Sequence, residues 1–244
     1  MHRFFIAGAN AARGYVVITG GDADHVKVLR MKIGDRIVIC DGNGTDHKCR
    51  ISRISPGEVE AEILETDECP AEPTVECAVF AGFPKGERAD YLVQKCTEAG
   101  AASVVFFLSE RCIARPDGRS MGKKLERFRR IAEHAAKQSG RGRIPEIGFE
   151  LEFSQALARA KESGLRLFMY ETGERVTIRQ AIEQAGQFSS CAIVTGPEGG
   201  FEPYEAEMAR LSGMMPVSMG PRILRCETAP VIALTAVMYA TDNL

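Results

Sequence analysis

With 244 residues, 45% apolar and 26% charged, and a formal net charge of −2, the chain has the balance of an ordinary soluble globular protein. That length suits one large or two smaller domains, and its longest nearly unbroken apolar run, residues 231–240, is too short to span a bilayer. Eight cysteines contain no C-x-x-C pair and four histidines no H-E-x-x-H, so neither a metal site nor a dithiol motif is expected. With no export signal apparent, reduced thiols in a cytoplasm are expected.

Residues 3–6, 15–19, 35–40, 46–54 and 58–65 read as short strands, with one short helix over 24–30. Asp41-Gly42-Asn43-Gly44 and Ser55-Pro56-Gly57 supply turn chemistry between them. Strands at this spacing predict a small barrel. The stretch 66–73, with two prolines and three acids, reads as a linker, which divides the chain into domains 1–70 and 71–244. Beyond it, strands predicted at 75–81, 103–108, 166–170, 191–195 and 214–219 alternate with helices at 87–98, 121–138, 156–160, 178–184, 204–211 and 228–240. That alternation implies an α/β fold with a mostly parallel sheet covered by helices.

Residues 109–143 hold eleven basic and four acidic groups, a local +7 that leaves −9 elsewhere. Such clustering is either the footprint of a polyanion partner or a solvated helix face. Gly196-Pro197-Glu198-Gly199-Gly200 joins a strand to a helix, where glycines let backbone approach a ligand. Glu198, Glu202, Glu205 and Glu207 cluster there without a Lys or Arg between 196 and 207. Those acids predict a cationic or neutral cofactor rather than a phosphate. A second loop, 219–230, carries Arg225 and Glu227 towards the sheet edge, as a functional pair or a simple salt bridge. The final helix is apolar almost all round, which predicts burial on every side, in its own core or against a second copy. No G-x-S-x-G elbow supports covalent hydrolysis.

The first loop, together with Gly220-Pro221-Arg222-Ile223-Leu224-Arg225-Cys226-Glu227-Thr228-Ala229, resembles the RsmE-type 16S ribosomal RNA uridine-N3 methyltransferase family of the SPOUT superfamily. Similar stretches are Pro84-Lys85-Gly86 with Gln94-Lys95-Cys96-Thr97-Glu98-Ala99-Gly100, Ser109-Glu110-Arg111, Gln138-Ser139-Gly140-Arg141 with Ile144-Pro145, and Val28-Leu29-Arg30 with Gly34-Asp35. Ala99 and Met219 stand where leucine is usual, and His25 lies one residue too close to Val28 to carry a family role. The resemblance implies an N-terminal PUA-like RNA-binding barrel and a C-terminal SPOUT domain with a deep trefoil knot.

It also implies S-adenosylmethionine as cofactor, 16S ribosomal RNA or the small subunit as partner, a homodimer, no membrane and no metal. Cofactor contacts are expected from Tyr170, Glu171, Thr195, Gly196, Glu198, Gly199, Gly200, Met219, Gly220, Ile223, Leu224 and Thr228. Methylating N3 builds negative charge on the uracil oxygens, and Arg225 is the expected catalytic residue that meets it. RNA contacts are expected from Arg3 and Arg30 on the barrel and from Arg111, Gln138, Arg141 and Arg143. Two other readings remain open: a knotted methyltransferase acting elsewhere on RNA, such as a ribose hydroxyl, and a non-catalytic RNA-binding assembly factor.

Overall fold

Five strands with alternating inward side chains build the N-terminal part: β1 (His2–Phe5), β2 (Tyr15–Thr19), β3 (Arg36–Cys40), β4 (Thr45–Ser55) and β5 (Glu58–Glu68). The computed structural model describes residues 1–6, 8, 9 and 11–244. Its contacts divide the chain into a first unit, Met1–Glu72 with Ala136–Ile144, and a second, Pro73–Ala135 with Pro145–Leu244.

In the first unit the sheet order is β1-β3-β4-β5-β2, with β1 parallel to β3 and the other neighbours antiparallel. Phe4, Ile18, Ile37, Ile39, Ile51 and Val59 point inward, and helix α1 (Gly20–Val28) adds Ala23 and Val26. The small barrel expected takes the form of a half-barrel, with β1 and β2 at the two edges of the sheet. A helix, in place of a further strand pairing, completes the core. Strand β5 continues three residues past the prediction, because Lys48 reaches across the ladder to both Glu65 and Asp67. Most of the acids assigned to a linker are therefore strand.

The segment 136–144 contains the end of helix α3 (Gly118–Ser139) and the turn after it. Arg141 is 3% exposed and donates to Glu72 Oε2 at 2.8 Å. Glu72 Oε1 accepts the backbone N–H groups of Gly142 and Arg143 at 2.8 and 3.0 Å. The expectation that Arg141 meets RNA is thereby corrected: its guanidinium is out of water and bonded inward. Arg3 is corrected in the same way, because its fork grips Asp46 at 2.5 and 2.6 Å with 11% of its side chain exposed. Replacing Glu72 with Ala removes the carboxylate from a buried pair and should cost about 3–5 kcal/mol, read from urea melts.

The second unit has a seven-stranded, all-parallel sheet. Its strands are β6 (Glu76–Gly82), β7 (Ser103–Phe107), β8 (Glu146–Glu150), β9 (Leu165–Met169), β10 (Val176–Thr177), β11 (Ser190–Thr195) and β12 (Met215–Ser218), in the order β10-β12-β9-β11-β6-β7-β8. Alternate strand residues face opposite sides. Val79, Val104, Phe106, Leu167 and Ile193 pack with helices α2 (Arg88–Glu98), α3, α5 (Ile178–Ala185) and α7 (Ala229–Ala240). Phe80, Val105, Phe107, Phe168 and Val194 pack with α4 (Phe153–Ala160) and α6 (Pro203–Leu211). Both faces are covered, as parallel sheets require. Strands β8 and β10 add to the predicted set; both are short, and each is an edge, where half-exposed residues leave a weak apolar pattern.

Helix α7 meets the expected burial in its own core on one side only. Pro230, Ala233, Leu234, Val237 and Met238 face the core, but Ile232 and Tyr239 are 42% and 76% exposed. An apolar stripe is left on its outer side.

Candidate active site

Strands β12, β9 and β11 are neighbours and parallel, so the loops leaving their carboxyl ends converge. They enclose a cavity of about 820 Å³, within the range of small-molecule sites. Of the expected cofactor residues, Tyr170, Glu171, Thr195, Gly196, Glu198, Gly199, Gly200, Met219, Gly220, Ile223 and Leu224 line it, as does Arg225. Thr228 does not; it borders a neighbouring cavity. Arg111, expected on RNA, lines this cavity instead.

The first loop is shaped by close contact. Gly200 has φ +67° and its N–H bonds the Pro197 carbonyl at 3.0 Å, a turn that side chains would strain. Beneath it, a Cβ on Gly82 would stand 2.4 Å from Pro197 Cδ. The end of β6 must therefore be glycine for the loop to lie there.

The acids of this loop do not behave as expected. Glu198 accepts from Arg88 and from the Lys85 N–H. Glu202 is bound by Arg111 at 2.8 and 3.0 Å, and Arg111 also donates to the Gly199 carbonyl. Glu205, 2% exposed, accepts the backbone N–H groups of Glu110 and Glu202. Glu207 pairs with Arg210. Glu198, Glu202 and Glu205 hold the loop and first helical turn in shape, and with Glu207 paired further along the helix, the expectation that the four form a phosphate-repelling field is corrected.

Burial opposes the charge on Glu198, but its own N–H, that of Lys85 and the Arg88 guanidinium together hold its carboxyl below the ordinary range. A lowered folded pKa contributes stability that is complete above the unfolded value and disappears as pH falls through the folded one. The Tm difference between wild type and Glu198→Gln should thus be largest above about pH 5 and shrink on acidification, as scanning calorimetry would read.

Arg222 and Arg225 of the second loop line the cavity with Arg88 and Arg175, and among the described residues Arg175, Arg222 and Arg225 join no ion pair. The Arg225 carbonyl accepts the Thr228 and Ala229 N–H groups at 2.9 Å, which anchors its backbone to the start of α7 and leaves its exposed side chain at the cavity. Arg88, which sequence reasoning missed, bonds Glu198 and lies 3.7 Å from Glu227. It links the two loops; its only signal was its position just after Pro84-Lys85-Gly86. Cys226 donates to Glu227 at 3.2 Å. Burial and then Glu227 push its thiol up to about 12, so it is no nucleophile at neutral pH.

The basic cluster separates into ion-paired and uncommitted cations, with Arg115 bonded to the Ser109 and Glu110 carbonyls. Arg111, Arg127, Lys137 and Arg141 are in ion pairs with Glu202, Asp90, Asp22 and Glu72. Arg119, Lys123, Lys124, Arg129 and Arg130 on α3 join none among the described residues, and all but the half-buried Lys124 are exposed. In the first unit Arg30 (φ +56°) and Gln138 are exposed, while Arg143 donates to the Asn43 carbonyl. Among the described residues no three His, Cys, Asp or Glu side chains cluster as a metal site, and no helix is long and apolar enough to cross a membrane.

Residues 71–238 match the profile of a family described as an RNA methyltransferase domain, and residues 18–64 that of an RNA methyltransferase PUA domain. The chain is 36% identical over 232 residues to the ribosomal RNA small subunit methyltransferase E of Bacillus subtilis, covering 93% of this chain and 91% of that one. It is 33% identical over 233 residues to the same enzyme of Mycobacterium bovis, covering 93% and 87%. The crystal structure of the Neisseria gonorrhoeae enzyme, bound to S-adenosyl methionine, superposes with a TM-score of 0.87 at 29% identity, covering 98% of each chain. Matches of this extent, over both units, show that the chain belongs to the ribosomal RNA small subunit methyltransferase E family, with a SPOUT-type α/β domain and a PUA-like half-barrel.

Proposed function

We propose that this chain methylates N3 of a uridine in 16S ribosomal RNA, with S-adenosylmethionine as methyl donor. One observation carries the reading: the two signature loops, at 196–200 and 219–230, close a single cavity in a fold whose Neisseria relative binds that cofactor. The residues fit the group. Met169, Val217, Ile223 and Leu224 offer an apolar wall for a flat heterocycle. The buried Glu198 Oε2, which has no hydrogen-bond partner among the described residues, offers an acceptor. When bound, the cofactor supplies an electrophilic methyl group.

The loop backbones at 196–200 and 219–224 hold it, with Tyr170, Glu171 and Thr195 at the strand ends. Arg225 places positive charge where the uracil oxygens gain negative charge as the N3 proton leaves. Insertion of β12, the last strand, between β9 and β10 supports a chain that threads back through earlier loops, as the trefoil knot requires. Mass mapping of methylated nucleotides in ribosomal RNA from a deletion strain against its parent tests the reading. Loss of one 3-methyluridine is expected; loss of a ribose-methylated nucleotide would overturn it.

RNA attraction falls to the uncommitted cations of α3, with Arg30 and Gln138 as further contacts. Each phosphate neutralised adds about 0.9 to the salt slope. Replacing Arg119, Lys123 and Arg130 together with Ala should lower the slope of log K against log salt by about 2–3, measured by anisotropy on labelled RNA. The outer stripe of α7 supports a homodimer, and light scattering that finds only a 26.6 kDa species would refute it. Eight free cysteines support a reducing, cytoplasmic location.

A further inference from the structure

Beside the cofactor cavity lies a second, of about 690 Å³, whose lining includes Lys85, Gly86, Arg88, Tyr91, Glu227 and Thr228. Arg88 and Glu227 border both cavities. Tyr91 is 48% exposed although it stands in the first turn of α2 beside the buried Ala89, Leu92 and Val93. We propose that this second cavity receives the extruded uracil, with Tyr91 as its stacking platform and the Glu227 carboxylate as acceptor of the N3 proton. The proposal rests on the methyltransferase reading above and names the substrate subsite of that reaction.

A base inside a helix or stack cannot present N3 to a methyl donor, so it must be turned out and held. A held base needs a flat partner for its face and matched groups for its Watson–Crick edge. Tyr91 supplies the first. The uracil edge presents one donor, N3–H, between two carbonyl acceptors. Glu227 supplies an acceptor on the boundary between base and cofactor, Arg88 and Lys85 supply donors around it, and Arg225 stands across that boundary in the cofactor cavity.

Two neighbours fix the Glu227 carboxylate in place. The Cys226 thiol donates to Oε2 at 3.2 Å, and Arg88 Nε stands 3.7 Å from Oε1. Its side chain is 15% exposed, so few waters compete for the carboxylate. In the step assigned to it, the N3–H bond breaks and its electron pair stays on N3. The proton goes to a Glu227 oxygen, which turns the carboxylate into a carboxylic acid. One negative charge thus passes from Glu227 to the ring, where Arg225 meets it on the oxygens.

The test combines a binding readout with kinetics on the full chain. 16S ribosomal RNA transcribed with 5-iodouridine is bound without cofactor and irradiated, and the crosslinked peptides are mapped by mass spectrometry. A crosslink on Tyr91 is expected; crosslinks confined to other peptides overturn the subsite. Tyr91→Ala should raise KM for RNA about tenfold with unchanged S-adenosylmethionine affinity and sedimentation, and Tyr91→Phe should restore it. Altered sedimentation of Tyr91→Ala would make Tyr91 an interface residue and overturn its role.

Glu227→Gln should lower kcat about 10²-fold with little change in KM. That deficit should shrink on RNA made with 5-fluorouridine, whose N3 is more acidic and needs a base less. An equal deficit on both RNAs would make Glu227 merely a structural partner of Arg88. Wild-type protein that binds the cofactor but methylates neither RNA sinks the methyltransferase reading itself. Wild type that methylates while its crosslinks fall elsewhere sinks only the subsite.

Discussion

Replacing Arg225 with Ala should lower kcat by about 10²–10³, the usual cost of removing one donor that meets developing charge, with S-adenosylmethionine affinity within a few-fold of wild type. Three features lead to this outcome. The side chain is exposed at the cavity and joins no ion pair among the described residues, so its removal leaves no buried partner stranded. Its carbonyl, which caps the start of α7, is retained in alanine, so the loop keeps its anchor. Cofactor contacts are assigned to other residues. Single-turnover methylation and calorimetric titration of the cofactor separate the two quantities. Equal losses in both would make Arg225 a residue that shapes the loop and would remove it from the chemistry.

Gly82→Ala should act in the opposite way and weaken cofactor binding. The added Cβ would stand 2.4 Å from Pro197 Cδ and 2.5 Å from Pro197 N, and a backbone contact cannot yield as a flexible side chain does. Overpacking of this kind costs about 1–3 kcal/mol. If the displacement falls on the loop, affinity drops roughly 5- to 150-fold. The neighbouring sheet core should hold, because Gly82 is the last residue of β6. Gly122→Ala is the contrast: nothing lies within 4 Å of its Cβ position in α3, and it should stabilise the protein by about 0.5–1 kcal/mol. Calorimetric titration and urea melts of both variants would distinguish a displaced loop from a general loss of stability.

Much of the layout is legible in the residues because it rests on short-range rules. The β-branched run Val16-Val17-Ile18 and the continuous apolar runs at 104–108 and 191–194 mark strands. The stripe of Leu125, Phe128, Ala132 and Ala135 marks α3, and Gly196-Pro197-Glu198-Gly199-Gly200 marks a strand-to-helix loop. The charge of individual groups is not legible in that way. The +7 of residues 109–143 counts Arg111, Arg127, Lys137 and Arg141 as free cations, whereas each is held by a carboxylate 37 to 115 residues away. The acids after Gly196 mislead for the same reason. Glu198 and Glu202 meet Arg88 and Arg111, about 90–110 positions earlier.

Local pattern thus determined the element types, the α/β alternation and the two loops, because backbone geometry and side-chain periodicity act within a few residues. Tertiary structure decided which charges are spent and which remain available. It alone placed the loops after β9, β11 and β12 around one cavity, brought Arg88 between Glu198 and Glu227, and set Tyr91 over a second cavity. Coulomb interactions and close packing depend on distance in space, and parallel strand order, not sequence separation, sets that distance.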